Sequence, residues 1–200
     1  MSDAICLKCP QCRANLSGEN NNKVFFCHVC ALCFNVDTTM GKLLQYPLLY
    51  IVPKETKKFE QVYFPFWQFE SRYTLDGSVP TESSASRTFY IPAFFIKNIN
   101  YFGDIGFFYM RNKIILEPGT RIPLEIFAAD RDLRHATRYP QIYLTKENFP
   151  TLRDMKKGFS EVQVKHLKAG VVLVPFYKNK DDHSYVDSIL SWKYPSGALV

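Results

Sequence analysis

Apolar positions along the chain gather into short dense blocks separated by polar turns, the pattern of a sheet. LLQYPLLYIVPKE, VYFPFWQFESRYTLDG and RTFYIPAFFIKN each read as a strand or strand end. In the second block Tyr63, Pro65 and Trp67 alternate with Phe64, Phe66 and Gln68, which makes one face strongly apolar and the other mixed. Asp76 and Gly77 mark its hairpin turn, and Pro65 predicts an edge, a bulge or a strand start. The polar stretch from Ser78 to Arg87 has little to bury and is expected to form an exposed loop. FFYMRNKIILEPGTRIPLEIF reads as two further strands around a turn at Glu117, Pro118 and Gly119. Helical signals are sparser. Ala128 to Arg138 carries Leu133 and Ala136 at helical spacing with a stop at Pro140, while Thr151 with Asp154 and Ser160 with Gln163 resemble capping boxes.

Two of these blocks resemble each other. VYFPFW (62–67) matches VLVPFY (172–177), and YTLD (73–76) matches SYVD (184–187), which suggests two related β-hairpins packed around one core. Composition supports a sheet and excludes two alternatives. With 46% hydrophobic residues, 17 Phe and 12 Tyr, the chain can bury a core, so wholesale disorder is excluded. Pro (12) outnumbers Gly (9), often beside aromatics, which argues against a helical bundle. Two hundred residues suit one ordinary domain with a small appendage rather than a multi-domain enzyme.

The cysteines add the one clear chemical signal. All six lie between Cys6 and Cys33, in two triplets of identical spacing, and the remaining residues contain none. The start MSDAICLKCP has no basic segment followed by an apolar core, and no apolar run is long enough to span a bilayer, so a cytoplasmic chain without a membrane span is expected. There, clustered C-x-x-C pairs favour a metal over disulfides. Cys9 and Cys12 sit in CPQC, which opens a turn, and Cys27 and Cys30 follow the strand-like KVFF, with SGENNNK as a hairpin tip between them. These four are the expected ligands of a structural zinc, a closed tetrahedron with no position for water or substrate. The surplus Cys6 and Cys33 read as buried thiols, substitute ligands or part of another site. An iron–sulfur cluster built on the triplet Cys6, Cys9, Cys12 is the alternative, although the C-x-x-x-C-P continuation of bacterial ferredoxins is missing.

The segment from Cys6 to Val36 resembles a zinc ribbon, a small fold with two metal-binding knuckles on neighbouring hairpins. Ribbons usually carry Gly after the second cysteine of a knuckle, where this chain has Arg13 and Ala31, so a different knuckle backbone is expected. The order of ribbon, YPLLYIVPKE, YFPFWQF and LVPFYKNKDDHSYVDS also resembles a loose group of uncharacterised bacterial ribbon-bearing proteins with paired Pro-Phe-aromatic strands. No catalytic residue is implied by that resemblance. The expected architecture is a β-rich α+β fold with a zinc ribbon in residues 1–40 and a mainly antiparallel sheet domain with a few short helices in residues 41–200. Within the latter, the related hairpin units would span about residues 44–110 and 160–200.

Function is expected to be binding rather than catalysis. The chain has no G-x-G-x-x-G, phosphate loop, H-E-x-x-H or G-x-S-x-G. Of its four histidines, His28, His135, His166 and His183, the first lies inside a knuckle, His135 on a charged helical segment, and His183 beside Asp181 and Asp182 in a hairpin tip. The expectation is a non-enzymatic adaptor or structural subunit of a larger assembly, with no small-molecule substrate inferred and with Tyr63, Phe64, Phe66, Trp67, Phe94 and Phe95 as candidate protein contacts. Nucleic-acid binding is the alternative, since the formal charge is +6, but from Asp130 to Lys168 basic and acidic residues alternate without forming a stripe, and an iron–sulfur electron carrier is the second alternative.

Overall fold

The computed structural model describes residues 7–18, 22–37, 41–51, 60–95, 105–113 and 125–195. One sheet runs through them. Its strands are β1 (Val24–Cys27), β2 (Leu32–Asp37), β3 (Lys42–Tyr50), β4 (Glu60–Thr74), β5 (Ala85–Pro92), β6 (Gln163–Lys178), β7 (Tyr185–Asp187) and β8 (Lys193–Tyr194). The order is β1-β2-β3-β6-β4-β5, with β7 on β6 and β8 on β7. Every pairing of named strands is antiparallel except β3 with β6, where Leu48–Tyr50 run parallel to Val171–Leu173. The β-rich, mainly antiparallel α+β fold expected from the apolar blocks is therefore present. No helix of the described residues is long and apolar enough to cross a membrane.

The long central strands β4 and β6 pair over nearly their whole length, and the two look-alike sequences meet there. Phe64 lies opposite Val174, Pro65 opposite Leu173 and Tyr63 opposite Pro175. The pairings on the outer edges repeat about that point. Phe127 N–H donates to Tyr63 O at 2.8 Å, as Ile51 N–H does to Leu173 O at 2.9 Å. Ala93 N–H donates to Pro65 O at 2.9 Å, as Ser188 N–H does to Pro175 O at 3.3 Å. Each proline thus sits where its strand changes outer partners. A strand residue directs its N and O to the same edge, so both ring nitrogens face away from the β4–β6 ladder and interrupt none of its bonds. Pro65 accordingly occupies a central strand, not the edge, bulge or strand start its sequence suggested; the partner change supplies the gap a proline needs.

Both faces of the sheet are buried at its centre. One carries Trp67, Phe69, Val171 and Leu173 together with Val24, Phe26 and Cys33 from β1 and β2. The other carries Phe64, Phe66, Val172, Val174 and Phe176. Phe64 is central to the second face, with ring centroids 5.0 Å from Phe94, 4.4 Å from Phe127, 4.3 Å from Phe176 and 5.2 Å from Tyr185. The mixed character of the Tyr63–Trp67 face in the sequence reflects side chains that are amphipathic yet enclosed: Trp67 is fully buried and donates its indole N–H to Arg131 O at 2.9 Å.

Helices α1 (Ile105–Arg111), α2 (Leu133–Ala136), α3 (Tyr139–Asn148) and α4 (Leu152–Glu161) flank the sheet. Three local expectations are corrected. Phe107 to Arg111, read as strand, belongs to α1, whose Gly106 approaches β5 so closely that a Cβ there would lie 2.1 Å from Tyr90 O. In Ala128–Arg138 only one helical turn forms, and Pro140, read as a stop, stands in the first turn of α3, where a missing N–H is harmless. Thr151 does cap α4, accepting from Asp154 N–H, but Ser160 lies at that helix's end and opens no helix. The Glu117–Gly119 turn lies outside the described residues.

Candidate metal centre

Two local hairpins build the cysteine cluster. In the first, Leu16 N–H donates to Leu7 O at 2.9 Å and Cys9 N–H to Ala14 O at 2.8 Å, closing a loop around Cys9-Pro10-Gln11-Cys12. The second is the turn between β1 and β2, closed by Cys27 opposite Leu32. Reciprocal bonds between Ser17 and Phe26, at 2.9 and 3.0 Å, clamp the first loop to β1. A small apolar cluster of Cys9, Cys27 and Phe34 backs the pair, with Leu16, Leu32 and Leu43 packed against it.

The four sulfurs of Cys9, Cys12, Cys27 and Cys30 lie within 4.8 Å of one another. Cys12 and Cys27 are 3.5 Å apart and Cys9 and Cys30 3.9 Å. A tetrahedron with sulfurs about 2.3 Å from a central ion has edges near ~3.8 Å, so the set fits a four-coordinate metal. The two knuckles match in detail. Backbone N–H groups of Cys12 and Gln11 point at Cys9, and those of Cys30 and Val29 at Cys27. Arg13 and Ala31, where ribbons carry Gly, take φ of 65° and 54°. Both residues hold a left-handed backbone of the kind Gly adopts without cost, which places strain at two side-chain-bearing positions.

No protein family, curated protein or solved structure compared with this chain matches it. The likeness to a zinc ribbon accordingly rests on the sulfur geometry, which has clear electrostatic consequences. At Cys9 burial opposes charge, but the N–H groups of Cys12 and Gln11 outweigh it and bring the pKa down to about 7. The hydrogen bond with Cys12, followed by burial, pushes Cys30 up to about 12, and burial also raises Cys27. One thiolate forms readily; gathering all four requires a cation among them.

The other singled-out residues lie elsewhere. Cys33 is fully buried in the main core, its thiol 3.5 Å from Tyr46 O, so it reads as a structural thiol; Cys6 lies outside the described residues. His28 Nε2 meets Ser17 Oγ at 2.6 Å beside the cluster. Asp181, Asp182 and His183 occupy the exposed β6–β7 turn, where Asp182 binds Lys193 and Ser184, and those contacts hold its carboxyl well below the usual range. Five of the six aromatics expected as partner contacts are buried, and only Phe95 is exposed, at 49%. Sequence reasoning missed two long-range polar contacts, Tyr109 Oη donating to buried Asp187 at 2.7 Å and Ser71 Oγ with His166 Nδ1 at 2.8 Å. No local motif could reveal them, because the partners lie 78 and 95 residues apart.

Proposed function

We propose that the chain is a non-enzymatic protein-binding subunit in which Cys9, Cys12, Cys27 and Cys30 hold one structural zinc. Four sulfurs close the coordination sphere, so the metal would secure the N-terminal hairpins and activate no water. The observation that carries the binding role is a set of exposed apolar side chains on α4 and on the β4–β5 turn tied to its end. Leu152 and Phe159 on α4 are 84% and 45% exposed, and Leu75 and Val79 on the β4–β5 turn are also exposed. Gly77 N–H ties that turn to Glu161 O at the end of α4, at 2.7 Å. Exposed Arg153 and Lys156 on the same helix favour a partner whose apolar ridge is flanked by acidic side chains.

The test pairs elemental analysis with size-exclusion of the full chain from native extract, alongside a Leu152→Asp/Phe159→Asp variant. One zinc per chain, no visible colour, and a co-eluting protein lost only in the variant is the expected result. Iron with visible absorption would replace the metal assignment. A partner retained by the variant, or a monomer at every concentration with nothing bound, would remove the binding role.

A further inference from the structure

Between β2–β3 and the turn joining α2 to α3 lies an open cleft of about 480 Å³. Small-molecule sites run to roughly 300–1,000 Å³ and favour the junctions of structural units, and this one joins the cysteine-bearing hairpin to the helical layer. Leu44 and Leu133 contribute apolar surface to its lining, and Asp132, Arg134, His135 and Arg138 contribute polar and charged groups. Asn35, itself buried in β2, pins the α2 turn by accepting from Leu133 N–H at 3.3 Å, so the cleft is formed in advance.

The charges within it are unequally committed. Asp132 Oδ1 accepts from both His135 N–H and His135 Nδ1 at 2.8 Å, which caps α2 and fixes the imidazole with Nδ1–H turned to the carboxylate. His135 Nε2 is then the ring atom left for an outside group. Among the described residues no carboxylate pairs with Arg134, in α2, or with Arg138, at the start of α3, and both line the cleft. A guanidinium presents a planar fork of donors matched to carboxylate and phosphate oxygens. Asp37, at the end of β2, adds a carboxylate to the same lining and disfavours a long polyanion.

We propose that this cleft binds a small ligand through an oxyanion group, phosphate or carboxylate, held by Arg134 and Arg138 with His135 alongside and the ligand's apolar part over Leu44 and Leu133. The reading is independent of the α4 surface and of the metal.

The test follows the His135 ring carbon-bound proton by nuclear magnetic resonance in the full metal-bearing chain. Inorganic phosphate and succinate are titrated separately at constant ionic strength, with sodium chloride as control. A saturable shift of His135 is expected, with His28 and His183 unmoved, and an Arg134→Gln/Arg138→Gln variant weakens it by roughly tenfold or more. Tighter binding of phosphate assigns phosphoryl ligands, and tighter binding of succinate assigns carboxylates. Both arginines are exposed, so the variant keeps its melting temperature and metal content. No saturable shift with either probe, an equal shift with chloride, or undiminished binding by the variant would overturn the proposal.

Discussion

The centre of the sheet and its β1–β2 edge are built by different means. Around β4 and β6, aromatic rings fill both faces, and Phe64 alone touches four other rings. At the β1–β2 edge the cysteine cluster rests on Phe34 and a few leucines, and four sulfurs converge where a core would otherwise be needed. A segment of a few dozen residues cannot bury enough apolar surface to offset its conformational entropy, whereas a ligated metal contributes on the order of 10 kcal/mol. Yet the two regions are not independent. Val24, Phe26 and Cys33 belong to the main core, Lys23 and Val24 N–H both donate to Ala129 O, and β3 is shared by both. The contrast shows how a hairpin pair built around a metal-sized cysteine cluster can finish one edge of an aromatic-held sheet.

The sharpest way to break this contrast is to remove a ligand. Cys27→Ser abolishes stoichiometric metal binding and hydrogen-exchange protection of β1 and β2, while β4–β6 amides stay protected; loss of protection throughout would mean that one cooperative unit spans both regions. Chelation should reproduce that pattern. Next in size, Phe64→Ala costs about 3–5 kcal/mol by denaturant unfolding and leaves the metal content at its wild-type value, because its cavity lies on the opposite face from β1 and β2. Smaller and opposite in sign, Ala31→Gly relieves a left-handed residue at φ 54° and raises stability by roughly 0.5–1 kcal/mol, read as an increase in melting temperature of the metal-bound protein.

The smallest effect concerns pH in the central sheet. Burial holds the His166 imidazole below its ordinary 6.5, although its bond to Thr137 O partly opposes the shift. The unfolded chain therefore takes up a proton more readily than the folded one. The contribution is whole above about pH 6.5 and is lost as pH falls through the lower folded value. His166→Asn should thus make the melting temperature less sensitive to acid between about pH 7 and about pH 5 than wild type.

Much of the sheet was legible because strands carry their signal locally, as dense apolar blocks between turns. What the alternation around Trp67 could not reveal was that a second layer covers its other face, which converts expected contact residues into core. α1 was missed for a related reason: Phe107 and Met110 pack into one cluster while Ile105 and Tyr109 pack into the other, so its apolar residues follow no single face. The cysteine cluster was readable from spacing within 22 residues, from Cys9 to Cys30. The anion cleft was not, since its walls come from β2, β3 and α2, nearly a hundred residues apart in sequence.

The β4–β6 pairing also imposes an order of events on a growing chain. The knuckles need only their own neighbourhood, so a metal can close them soon after β2 leaves the ribosome. β4 must await a partner about a hundred residues downstream, roughly 5 to 20 seconds at ordinary rates of synthesis. During that interval β5 can pair with one edge of β4, while the other edge keeps its backbone N–H and C=O groups unpaired and the phenylalanines on both faces lack the cover of β6. Nascent chains stalled between β5 and β6 are therefore the form of this protein most in need of a chaperone.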